Sequence, residues 1–89
     1  MTKKRSKLNK DFDKKIYSSK KNVELVLAKI YDIDDEDIQK EYMSAFERVV
    51  YLYDELKEDY ERKGFSDNSE ELLVNYKDAF IIFESEFEI

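Results

Sequence analysis

Proline is absent from this chain and glycine occurs once in 89 residues, at Gly64. Strands and tight hairpins are normally punctuated by those two residues, so a sheet has little here to turn on. The apolar residues instead recur at steps of three and four, which gathers side chains on one face of an α-helix. The fold class expected is all-α.

Three such series follow one another. Leu8, Phe12, Ile16, Ser19, Val23, Val26 with Leu27, and Ile30 make one face of a helix over about residues 7–31. Ser19 is its polar interruption, and Ser18, Ser19 or Asn22 could instead cap a separate helix. The lysines at its start oppose the helix macrodipole and favour fraying there. The acidic run Asp32–Asp37 ends this helix and begins the next, with Asp34 or Asp35 as the cap. The second series, over 35–63, is Ile38, Tyr42, Ala45 with Phe46, Val49, Tyr53, Leu56 and Tyr60, spaced as in coiled-coil packing. Gly64 suits a left-handed stop, with Phe65 folding back on Tyr60 as in a Schellman motif. Asn68 or Ser69 begins the third helix, over 69–86, and Glu71 stands where a capping box from Asn68 needs it. Its stripe is Leu72, Leu73, Tyr76, Ala79 with Phe80, Phe83 and Phe87. Glu84 to Ile89 alternate charge and apolarity at the end of the dipole that disfavours Glu, so this end is expected to fray or form a strand-like tail.

Three helices on short loops pack most simply as an antiparallel up-down-up bundle, one domain across 1–89 with residues 1–6 and 87–89 frayed. The second helix, at 1.5 Å per residue, is roughly 43 Å long, so the bundle is elongated. A domain this small buries only about 60–65% of the surface of its unfolded chain. A homodimer would supply further contacts.

The residue inventory excludes several chemistries. With neither Cys nor His, the chain has no disulfide, thiolate metal site or imidazole base. One glycine cannot shape a phosphate loop. Asp32, Asp34 and Glu36 have the opening spacing of a calcium loop, but its sixth position is Asp37 where Gly is needed and its twelfth is Met43 where Glu is needed. The expectation is a non-catalytic protein without cofactor or metal. No apolar run reaches about 18 residues and the basic start lacks a following apolar stretch, so the expected location is cytoplasmic with no membrane partner. Thirteen Lys against three Arg hints at AT-rich coding, as in a low-GC bacterium or its mobile elements.

Charge is divided by position. Residues 1–21 carry a net of +7 and residues 22–89 a net of −13. On a helix, Lys3, Lys7, Lys10, Lys14 and Lys21 fall within about 60° of one another, opposite the apolar stripe. Such a row suits a phosphate backbone, anionic lipid or an acidic protein surface. The ordinary alternative is a solvated face balancing the acidic helices.

Apolar residues also stand off the core stripes. Val74 and Ile81 lie about 140–160° from Tyr76 around the third helix. Met43, Val50 and Tyr51 lie off the stripe of the second, and Tyr17 and Leu25 off that of the first. A central third helix, covered on both faces, would bury some of them. Left outward among Glu47, Asp54 and Glu58, they make a partner-binding surface. The function expected is a small acidic protein-binding module that inhibits or modulates a macromolecular target, such as a phage or mobile-element regulator or antirepressor. Two alternatives are a nucleic-acid-binding accessory protein using the basic helix and, on size and helical character alone, a bacteriocin immunity-type protein.

Overall fold

Residues 7–87 are described by a computed structural model, with side chains from Lys10 onward. Lys3 and the expected frayed segment 1–6 lie outside them, as do residues 88 and 89; Lys7 enters only as backbone. The chain forms α1 (Lys7–Tyr31), α2 (Glu36–Lys63) and α3 (Asp67–Glu86).

The local chemistry explains each boundary. α1 runs unbroken through Ser19 because the buried hydroxyl donates back to the Lys15 carbonyl at 2.8 Å, leaving no orphaned donor inside the bundle. Asp35 caps α2, its carboxylate accepting from the Asp37 and Ile38 amides at 2.9 and 3.1 Å. Glu36 and Asp37 in the first turn, with Arg62 and Lys63 in the last, place charge of the favourable sign at both ends of the dipole. Gln39 reaches back to satisfy the last carbonyls of α1, donating to Ile30 and Tyr31 at 3.2 and 3.1 Å.

Gly64 does end α2, donating to the Tyr60 carbonyl at 2.8 Å, but its φ of 75° is paired with a ψ of −165°. The chain therefore leaves extended instead of curling into the expected Schellman loop, and Phe65 sets its ring edge-on to Phe12 of α1 at 5.4 Å. The start of α3 differs from the expected Asn68 or Ser69 cap. Ser66 is the cap, and Ser69 closes the box reciprocally, with bonds of 3.2 and 2.8 Å. At the other end Phe87, expected to fray, stacks on Phe83 at 5.2 Å and meets Tyr42 edge-on at 4.8 Å. The ring is partly buried against the core and the Phe87 amide donates to the Phe83 carbonyl at 2.9 Å, so the final turn is kept despite its glutamates.

The three helices form the expected elongated antiparallel bundle, 55 × 20 × 18 Å, with a radius of gyration of 15.0 Å against about 12 Å for a compact domain of this length. α2 is the central helix, not α3. Both α1 and α3 pack along α2, while no Cα atoms of α1 and α3 approach within 8 Å among the described residues. Aromatic and aliphatic side chains share the core. Phe12 meets Tyr60 at 4.9 Å, Tyr53 meets Tyr76 at 5.9 Å and Phe46 meets Phe83 at 4.8 Å. These rings pack α1 and α3 each against α2, and between α1 and α3 a trough is left open.

Candidate docking surfaces

The trough is built from the flanks of two parallel helices. Lys14, Lys15, Ser18, Ser19 and Asn22 of α1 face Tyr76, Lys77, Phe80 and Ile81 of α3 across a groove of about 420 Å³. It continues past Asn22 to Leu25, Val26 and Lys29 opposite Phe80 and Glu84. Steps of three and four place both sets along one edge of each helix.

Tyr76 crosses the floor. Its hydroxyl donates to the Ser19 carbonyl oxygen at 3.2 Å, joining helices that otherwise stand apart. Burial pushes the Tyr76 phenol up to about 12, with Tyr53 and Glu84 adding to the rise. Burial likewise raises Tyr53, followed by the charges of Asp54, Glu24 and Glu61. Both phenols stay protonated at neutral pH and act as core residues with one polar end.

The trough differs in charge from the rest of the molecule. The section between Lys14 and Ile81 has three lysines on its walls and no carboxylate, on a chain of net charge −6. The cleft between α1 and α2 contains Asp13 and Glu61 as well as Lys20 and Lys57, so its charges offset one another. There the Tyr60 hydroxyl donates to Asp13 at 2.6 Å. Asp59, also buried, pairs with Lys63 at 3.5 Å through Oδ1, while Oδ2 has no hydrogen-bond partner.

The residues expected to bind a partner do not form one surface. Val74 and Ile81 are 54% and 62% exposed on α3, and Ile81 lines the trough. Tyr51 is 62% exposed on α2, with Glu47, Asp54 and Glu58 also exposed, and none of these four lines the trough. Met43 and Val50 are less exposed than expected, both being partly buried against the core. A central α2 is covered on two flanks, which partly shields Met43 and Val50 while Tyr51 stays outward.

Of the expected basic row, Lys10, Lys14 and Lys21 are exposed. Lys14 lines the trough, and Lys21 lies over the Tyr17 ring with Nζ 5.5 Å from its centroid. Lys15 and Lys77 were not anticipated there. Their signal appears only once α1 and α3 are known to run side by side.

Among the described residues, no group of three or more acidic side chains is arranged to hold a metal ion. No described helix is long and apolar enough to cross a membrane. Comparison with protein-family models, curated proteins and solved structures gives no match.

Proposed function

We propose that this chain is a small non-catalytic module that binds another protein and thereby inhibits or modulates a macromolecular target, as a cytoplasmic regulator of the kind phages and mobile elements encode. The observation that carries this reading is the exposure of Val74 and Ile81, seven residues apart on one face of α3, beside a trough that the fold leaves open. Apolar side chains on an exposed face next to a groove favour a protein partner. Homodimerisation is one way to use such a surface.

The test is Val74→Ser with Ile81→Ser. Because both residues are exposed, the thermal midpoint should stay within a few degrees of the parent. Proteins cross-linked to the parent in cells and absent from the double variant support the reading. An identical captured set contradicts it.

The second reading, a nucleic-acid accessory protein, is favoured by Lys15 and Lys77 joining Lys14 on one surface. It requires duplex or single-stranded DNA binding that weakens steeply with salt.

A further inference from the structure

We propose that the trough between α1 and α3 receives an acidic amphipathic helix of the partner protein, converting the three-helix bundle locally into a four-helix arrangement. The inference rests on the binding-module reading and specifies what kind of partner the module takes.

Shape is the first argument. α1 and α3 do not close on each other, so their flanks make two walls over a shared floor, the setting in which a further helix packs. The walls run from Lys14 to Lys29, roughly 22 Å at 1.5 Å per residue, or about four helical turns.

Charge is the second. Lys14, Lys15 and Lys77 meet no carboxylate in their section of the trough, and in the adjoining section only Glu84 accompanies Lys29. Acidic residues on the incoming helix would find cations on both walls, while a basic helix would be repelled.

The apolar groups decide between anionic ligands. Leu25 and Ile81 are 60% and 62% exposed, and Phe80 is half-buried beneath them. A phosphate backbone would use the lysines and leave these groups in water. A helix with apolar residues at i, i+3 or i+4 and i+7, flanked by Asp or Glu, uses both. The outer face of α2 from a second copy is a poorer fit, since Tyr51 stands there among Glu47, Asp54 and Glu58.

The experiment is selection from an unbiased display library of helix-forming peptides on the full chain. Fluorescence anisotropy then measures the enriched peptides against the parent, Lys15→Glu with Lys77→Glu, and Ile81→Ser. Thermal melts establish that the variants, all changed at exposed positions, remain folded. The expected peptides carry carboxylates beside an apolar helical stripe, and both variants weaken them by about tenfold or more.

Enriched peptides without acidic bias, equal binding by the charge-reversed variant, or no enrichment would overturn the proposal. Duplex DNA binding abolished by Lys15→Glu with Lys77→Glu, without acidic peptides, would assign the trough to nucleic acid. A dimer dissolved by the same change would assign it to a second copy, and either result overturns it. If acidic peptides fail but Val74→Ser with Ile81→Ser still loses cellular partners, the binding module survives and only the acidic helix falls. If those partners are unchanged as well, both fall.

Discussion

The hydroxyl of Tyr76 on α3 donates to the backbone carbonyl oxygen of Ser19 on α1 at 3.2 Å. α1 and α3 are held chiefly through their common packing on α2, and this bond joins them directly across the floor of the trough. Ser19 is suited to the place because it is small, almost wholly buried, and satisfies its own hydroxyl within α1. The residue that interrupts the apolar stripe of α1 thus lets a tyrosine from α3 approach its backbone.

Tyr76→Phe keeps the ring against Tyr53 and removes the donor. The expected loss is about 1 kcal/mol, or a fall of roughly 4–8 °C in thermal midpoint for a domain of this size. Circular dichroism melts check it, and hydrogen exchange should quicken around residues 18–22 before it does in α2.

Alkaline pH should destabilise the fold through the same residue. Tyr76 holds its proton to about pH 12, against 10.0 for an ordinary tyrosine. Between those values the folded chain binds more protons than the unfolded one, so stability falls as pH rises. This contribution is fully present below about pH 10 and is lost progressively towards pH 12. Tyr53, raised in the same direction, adds to the loss. Denaturant midpoints across the alkaline range should decline for the parent and decline less for Tyr76→Phe.

Phe46 is completely buried and meets both Phe80 and Phe83. Phe46→Ala is expected to cost about 3–5 kcal/mol, a large part of the stability of a small domain. Ile81→Ser should change stability by no more than about 0.5 kcal/mol. Urea unfolding of the two variants separates a core position from a surface one directly.

Asp35→Ala removes the acceptor for the Asp37 and Ile38 amides, and Ser66→Ala opens the reciprocal bonds with Ser69. Each should cost about 1 kcal/mol. Ser66→Asn should cost less than Ser66→Ala, because an amide oxygen can still accept. Equilibrium unfolding checks both comparisons.

Much of the fold is legible in the sequence because the apolar period continues through all three helices and the acidic run before α2 is a strong cap signal. The start of α3 is harder to read, since Ser69 fills a capping-box position usually held by Glu or Gln. Phe87 looks frayed when judged by the glutamates around it, until Tyr42 from a distant part of the chain covers its ring. The site is less legible for a similar reason. Lys14 and Ile81 stand out on their own helices, but Lys15 and Lys77 acquire meaning only through the placement of α1 beside α3. Met43 and Val50 look outward until α2 is known to be the middle helix.

Photo-cross-linking tests the docking account most directly. A photoreactive amino acid placed singly at position 25, 51 or 81 samples both lips of the trough and the opposing acidic face of α2. Positions 25 and 81 should capture the same protein in cells while position 51 does not. Capture from position 51 alone would contradict it.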